Sequence, residues 1–362
     1  MLARRGPVVE VRRAPGAEMT DAELRIAVVG AGAIGGVTAV FLAEAGHAVQ
    51  IVTKHPAVAA QARGDGLRVR GVRGEHRATL DGVATVAELR GPLDVALLAT
   101  KSTEVVEVAR ELLPLMAEGG VVLTMQNGIT EQAVAEVVGE HAVVACVVAW
   151  GATMLEPGTL EMTSEGEFVL GALDGRPVEA LAPLATLLSA VVPTRVATNM
   201  MGERYSKLII NACVTTLGGV CGLLLGDMLA RRPARELFIA IMREAMAVAD
   251  AMGVRVEPGG GGKLDFYRFV RGDGWLDRFK RHAMIRLIGF KYRRLKSSTL
   301  QSLERGKPTE IDFLNGYIVA MGARHGVPTP VNAALVRMVK EIEAGTRAIA
   351  YANLQEVAIA GR

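Results

Sequence analysis

In the segment SKLIINACVT, residues 206–215, two polar side chains with chemical potential interrupt an apolar run: Lys207 and, four residues on, Asn211. On a helix that spacing places an ammonium and an amide on one face. Two more candidates stand where short apolar strands run out, Lys101 after strand 95–99 in LDVALLATKSTEV and Asn127 after strand 121–125 in VVLTMQNGIT. In a doubly wound sheet, strand ends of this kind border the ligand crevice. A third constellation is Gly30-Ala31-Gly32-Ala33-Ile34-Gly35, a GxGxxG turn between an apolar strand (24–29) and a helical run (37–45). Gly30 permits the tight turn, Gly32 lets the backbone approach a pyrophosphate, and Gly35 allows close helix packing. The N–H groups around Ala33 and Ile34 then face the phosphates.

The strand after this helix, residues 48–52, ends in Thr53-Lys54-His55, with no Asp or Glu to hold ribose hydroxyls; the nearest acid, Asp65, lies beyond the strand. Lys54 would attract a 2′-phosphate and so favours NADP(H), the alternative being a solvated surface lysine.

The elements that must position these residues fall into two halves. Up to about residue 198 strands alternate with helices, ending in strand-like runs around Glu156-Pro157-Gly158; beyond it the periodicity is helical, in runs 200–217, 233–252, 275–294, 297–303, 311–325 and 331–344. The expectation is an α/β chain: an N-terminal Rossmann-type doubly wound sheet (24–198), an all-helical C-terminal domain (199–350) and a tail (351–362). Residues 1–23 read as a disordered extension, with an Arg-rich transit peptide or a true start at Met19 as alternatives.

Composition excludes several classes. A net charge of +3 over 362 residues, 22% of them charged, supplies no general field for nucleic acid or membrane, and neither is expected as a partner. Cys146, Cys213 and Cys221 sit in apolar runs without metal-ligand spacing, as reduced core residues of a cytoplasmic protein would, and no metal is expected. The uncharged stretch 208–226 approaches the length of a membrane span, but its Asn, Thr and Gly content favours a buried helix ending near Gly218-Gly219. The segment 263–296 interleaves Arg and Lys with aromatics. It reads as solvated amphipathic helix, or as a lid or a site for an acidic group.

The separated pieces GAGAIGG, ATKS, QNG, KLIIN, SSTLQSLERGKPTEID, NGY and HGVPTP together resemble the ketopantoate reductases (2-dehydropantoate 2-reductases) across about residues 24–343. The resemblance implies NADPH-dependent reduction of a 2-keto acid to a D-2-hydroxy acid; a homodimer is the oligomer to expect, should the chain associate. It implies Lys207 as catalytic lysine and Glu310 as active-site glutamate. Asn211, Ser298 and Asn127 would bind substrate, and Lys101 and Asn127 would border the nicotinamide. An ammonium beside the ketone oxygen would stabilise the charge that hydride delivery leaves there and then donate its proton. Thr215 departs from the family, which commonly offers a second asparagine there, and residues 253–297 form a longer segment than in compact members. A reductase of another 2-keto acid, or a non-catalytic dinucleotide-sensing module, are the alternatives.

Overall fold

A computed structural model describes residues 24–272 and 274–357; the expected extension 1–23 and residues 358–362 of the expected tail lie outside that range. The chain divides into two compact units. Of the described residues, the first takes those up to Thr100 with Val105–Met125 and Glu131–Val196; the second takes Lys101–Glu104, Gln126–Thr130 and those from Ala197 onward. The main boundary falls two residues before the expected one. Two short loops expected within the sheet domain also belong to the helical unit.

The first unit is built from β1 (Ile26–Val29), β2 (Val49–Val52), β3 (Leu67–Gly71), β4 (His76–Ala78), β5 (Asp81–Val83), β6 (Leu93–Leu98), β7 (Met116–Thr124), β8 (Val143–Val148), β9 (Gly151–Glu156), β10 (Thr159–Ser164), β11 (Phe168–Gly171) and β12 (Thr194–Val196). Its helices are α1 (Ala33–Glu44), α2 (Pro56–Arg63), α3 (Val105–Leu112), α4 (Glu131–Val138) and α5 (Ala182–Ser189). Eight strands form one sheet in the order β12-β11-β8-β7-β6-β1-β2-β5. β1 is parallel to both β2 and β6, and every one of its residues is buried, as expected of a strand covered on both faces. A second sheet, β4-β3-β10-β9, holds the hairpin around Glu156-Pro157-Gly158 together with two strands that sequence patterning did not separate.

The second unit contains α6 (Met200–Cys221), α7 (Leu225–Ala230), α8 (Arg232–Ala251), a glycine turn α9 (Gly259–Gly262), α10 (Phe266–Val270), α11 (Trp275–Lys291), α12 (Ser298–Glu304), α13 (Asn315–His325), α14 (Pro330–Glu343) and α15 (Asn353–Glu356). The short α15 lies within the expected tail, and Asn353 ties it to α6 through a hydrogen bond to the Val220 carbonyl at 3.0 Å. Among the described residues no helix is long and apolar enough to cross a membrane.

Helix α6 is the spine of this unit. Asn199 caps its start by accepting from the Gly202 N–H at 3.1 Å, and Gly222, in the left-handed region at φ 73°, ends it. The expected stop at Gly218-Gly219 does not occur. Both glycines remain helical because they admit α12: a Cβ on Gly218 would lie 2.8 Å from Ser297 Oγ, and one on Gly219 2.4 Å from Thr299.

A buried polar chain fixes α6 about its own axis. Thr216 donates its hydroxyl to Asn315 Oδ1, and Asn315 donates to Asn332 Oδ1 at 2.8 Å and to the Ala212 carbonyl at 3.4 Å. Asn332 in turn donates to Glu244 at 2.7 Å, whose carboxylate also accepts the first-turn N–H groups of Val331 and Asn332, each at 2.9 Å. Four helices, α6, α13, α14 and α8, are joined by one satisfied network. Asn315→Leu should therefore leave Thr216 and Asn332 buried without their partner and cost on the order of 3 kcal/mol, read as a lowered urea midpoint with an unchanged slope.

Candidate active site

Within the helical unit the half-exposed positions of α6 form a stripe. Glu203, Lys207, Asn211 and Thr215 recur every fourth residue and are partly accessible, while Leu208, Ile209, Ala212 and Cys213 on the other faces are buried. The stripe ends where Gly218 meets Ser297. The lysine and amide thus share an accessible line on a helix whose rotation the buried network sets.

The two loops assigned to this unit supply its other side. Asn127 accepts from Asn211 Nδ2 on its side-chain oxygen at 3.4 Å, and its main-chain carbonyl accepts from the Ser102 hydroxyl at 2.8 Å. Ser102, almost wholly buried, also faces Glu310: its hydroxyl lies 2.8 Å and its N–H 3.2 Å from Glu310 Oε1. The single hydroxyl proton can serve one of these acceptors at a time, so the backbone N–H is the constant donor to Glu310. No hydrogen bond from the described residues reaches Glu310 Oε2, which leaves one carboxylate oxygen for a ligand. Gly128, at φ 80°, lets the loop pass Phe313, where a Cβ would come within 2.4 Å of a carbonyl oxygen.

Two anchors hold these loops. Arg204, buried one turn before Lys207, donates to the Gln126 carbonyl at 3.0 Å. On the other side Glu343 accepts from the N–H and hydroxyl of Thr309, both at 2.7 Å, and so fixes the turn that presents Glu310. Burial pushes the Glu343 carboxyl upward, but Thr309 and Lys340 outweigh it and hold it below its ordinary range. This grip is complete at neutral pH and is lost only as the pH falls through that lowered value.

The sequence candidates are thus placed unequally. Asn211, Asn127 and Glu310 are linked through Ser102, and Lys207 stands one turn before Asn211 on α6. Ser298 is exposed at the start of α12, while its neighbour Ser297 is buried and caps the helix by accepting from the Leu300 N–H at 3.1 Å. Lys101, expected beside the nicotinamide, donates to the Pro308 carbonyl at 3.1 Å and to Ser302 Oγ at 3.3 Å, which ties its loop to the segment before Glu310. Thr215 donates to the Asn211 carbonyl at 2.8 Å, so its hydroxyl keeps only acceptor capacity toward a ligand. Ser102 and Arg204 carried no role in the sequence reading. A serine inside ATKS and an arginine on the buried side of an apolar helix were the available signals.

In the glycine turn of the first unit a side chain would meet main chain at Gly30 and Gly35 but open space at Gly32. Gly30 has φ 101°, and a Cβ there would lie 2.7 Å from the main chain of Ala99 and Thr100; at Gly35 it would lie 2.2 Å from the Gly30 carbonyl. At Gly32 it would meet nothing within 4 Å. That opening stands at the N-cap of α1, which no side chain fills, so the first-turn N–H groups of Ala33 and Ile34 remain available to a pyrophosphate. Lys54 is exposed two residues beyond β2, and the Val52 carbonyl at that strand's end accepts the N–H groups of Gly30 and Ala31 at 3.0 Å. The residues present fit the pyrophosphate of a dinucleotide.

Comparison with known proteins agrees with this arrangement. The family model described as ketopantoate reductase PanE/ApbA matches residues 26–175, and that of its C-terminal domain matches 199–343. The chain belongs to the ketopantoate reductase family. Among its relatives, the 2-dehydropantoate 2-reductase of Aquifex aeolicus is 28% identical over 326 residues, covering 88% of this chain and 97% of the relative. That of Archaeoglobus fulgidus is 26% identical, over 89% and 98%. The solved PanE/ApbA family ketopantoate reductase from Ralstonia eutropha JMP134 aligns with TM-score 0.76 and 29% identity over 90% of this chain and all 100% of that one. A D-mandelate dehydrogenase solved with NADH and anilino(oxo)acetate aligns equally well, TM-score 0.76 over 90% and 100%, but at 23% identity this shows the fold alone. Family membership makes the chain an oxidoreductase with a nicotinamide dinucleotide as cofactor.

The glycine geometry separates fold from binding. Gly32→Ala, at an open site with φ −75°, should leave the melting temperature nearly unchanged while weakening dinucleotide binding by at least about tenfold, as a methyl group replaces close backbone approach. Gly35→Ala should instead lower the melting temperature, because its Cβ collides with main chain. Thermal unfolding with and without NADPH reads both effects.

Proposed function

We propose that the protein reduces 2-dehydropantoate to (R)-pantoate with NADPH, the pantoate step of pantothenate and coenzyme A synthesis. The observation that carries this reading is the convergence of four separated motifs, ATKS, QNG, KLIIN and TEID, on one cluster in the helical unit. Bound cofactor supplies the hydride that adds to the keto carbon. The Lys207 ammonium stabilises the negative charge left on oxygen, donates its proton to complete the hydroxyl, and is reprotonated from solvent. Asn211 and Ser298 are the amide and hydroxyl donors for the substrate carboxylate, and Glu310 Oε2 accepts a hydrogen bond from the substrate's 4-hydroxyl. Ser102 and Asn127 act as positioning residues, one on Glu310 and the other on Asn211.

A panel of 2-keto acids assayed by NADPH oxidation tests the assignment. Ketopantoate should be the best substrate and 2-ketoisovalerate, which lacks the hydroxyl, a much poorer one, because it would leave Glu310 without a partner. Equal efficiency with both would replace this reading by the second one, a reductase of another 2-keto acid. That second reading has one observation in its favour: Thr215 spends its hydroxyl proton on the Asn211 carbonyl and so offers no donor where the family commonly provides an amide.

Lys207→Ala should lower turnover by at least about a hundredfold, the low end of general-acid contributions, with NADPH binding and the circular dichroism spectrum retained. Unaltered turnover would remove Lys207 from the mechanism.

Cofactor choice rests on Lys54 and on the absence of an acid beside it. NADPH should be preferred to NADH, and Lys54→Ala should narrow the preference by weakening NADPH alone. Comparison of kcat/KM for the two cofactors in both proteins checks this.

A further inference from the structure

The helix α11 buries one side and leaves the other bare. Arg281, Ile285 and Gly289 face inward, with Gly289 so close to α7 that a Cβ would lie 2.8 Å from Leu229 Cβ, so the orientation of the helix is fixed. Outward stand Leu276, Phe279, Ala283, Leu287 and Phe290, following one another at steps of three and four residues and forming one stripe along a helix about 25 Å long. Trp275 at its start is 76% exposed, Phe279 69%, Leu287 67% and Phe290 68%. Scattered exposed apolar residues need no explanation, but a continuous aromatic and aliphatic ridge does.

Cations border the ridge on both sides. Helical spacing places Lys280 and Lys291 along one margin and Arg286 along the other. Residues 275–296 hold eight Lys and Arg against the single acid Asp277. Beyond the helix the chain turns through Lys291, Tyr292, Arg293, Arg294 and Leu295 around a basic hollow of about 380 Å³, where Arg293 stacks over the Phe290 ring at 5.3 Å. A net charge of +3 for the whole chain conceals this concentration.

We infer that α11 and the following basic turn form a docking surface for an anionic lipid membrane, on which the helix lies flat with its ridge among the acyl chains and its cations at the headgroup phosphates. Charge complementarity decides among the occupants. A second copy packed on this face about a two-fold axis would bring the same cations together, whereas anionic headgroups neutralise them. An apolar stripe of Trp, Phe and Leu edged by Lys and Arg is what an interfacial helix requires. The expectation from bulk charge, that no membrane is a partner, is replaced here by a local reading. The inference is independent of the keto acid proposed for the active site.

The test is co-sedimentation of the full chain with vesicles of phosphatidylcholine alone and of equal parts phosphatidylcholine and phosphatidylglycerol, with tryptophan emission recorded in parallel. Of the two tryptophans Trp150 is buried, so a change in emission reports Trp275. Binding to the anionic vesicles, a blue shift, and loss of both on raising salt are expected. Replacing Lys280, Arg286 and Lys291 by Gln should weaken partition by roughly a hundredfold. The double variant Leu287→Gln/Phe290→Gln should weaken it by at least about tenfold, with the circular dichroism spectrum unchanged. Failure of the native chain to sediment, or equal sedimentation of the variants, overturns the inference. A dimer in light scattering that these variants dissociate, without vesicle binding, reassigns the face to a second copy.

Discussion

The rotation of α6 is the constraint from which the site follows. A helix buried on most of its circumference could satisfy apolar packing in several orientations, because Leu, Ile, Ala and Cys are interchangeable to a non-directional force. Hydrogen bonds are directional. The chain from Thr216 through Asn315 and Asn332 to Glu244 admits one orientation, since any rotation that moved Thr216 away would strand buried polar atoms. Lys207, Asn211 and Thr215 lie along the accessible line only because Thr216 and Ala212 are held inward by Asn315. The position of the proposed acid is thus set by polar contacts made up to three turns away along the same helix.

That constraint also explains why two short loops group with the helical unit although each leads from a strand of the sheet into a helix of the first unit. They are tied to α6, to each other and to the Glu310 turn by main-chain carbonyls: Gln126 accepts from Arg204, Asn127 from Ser102, and Pro308 from Lys101. A carbonyl acceptor makes no demand on side-chain identity at its own position. The identity requirement falls instead on the donors, which is where the polar residues of the motifs are found.

How far the sequence could be read follows from the same distinction. The strand, glycine turn and helix at residues 26–44 were legible because each local signal agrees with the others, and the helical second half was legible from its periodicity. The motifs also pointed to Asn211, Asn127 and Glu310, which hydrogen bonds link through Ser102, and to Lys207, one turn before Asn211 on α6. Ser102 and Arg204 were not assigned, since their partners lie far along the chain and no local pattern encodes a long-range hydrogen bond. The NGY motif served as a signature, yet Asn315 within it proves to be a wholly buried structural link. The glycine pair at 218–219 misled for the opposite reason. Read locally it breaks a helix, whereas the close approach of α12 needs two positions without a Cβ.

Lys101 and Lys207 show why residue type and motif are insufficient to assign chemistry. Both are lysines in motifs at loop or helix positions near the proposed substrate, and sequence alone gives each a claim. The structure engages the Lys101 ammonium with a carbonyl and a hydroxyl, a pairing with neutral acceptors that fixes a loop and leaves the side chain extended across it. Moving that ammonium to a developing oxyanion would break both bonds and release the turn that carries Glu310, so a catalytic excursion would dismantle the site it served. Lys207 stands on the half-exposed stripe of α6, one turn before Asn211. As the proposed acid it therefore requires no rupture of the contacts that hold the Lys101 loop, whereas the strand-end lysine is committed to holding the segment before Glu310.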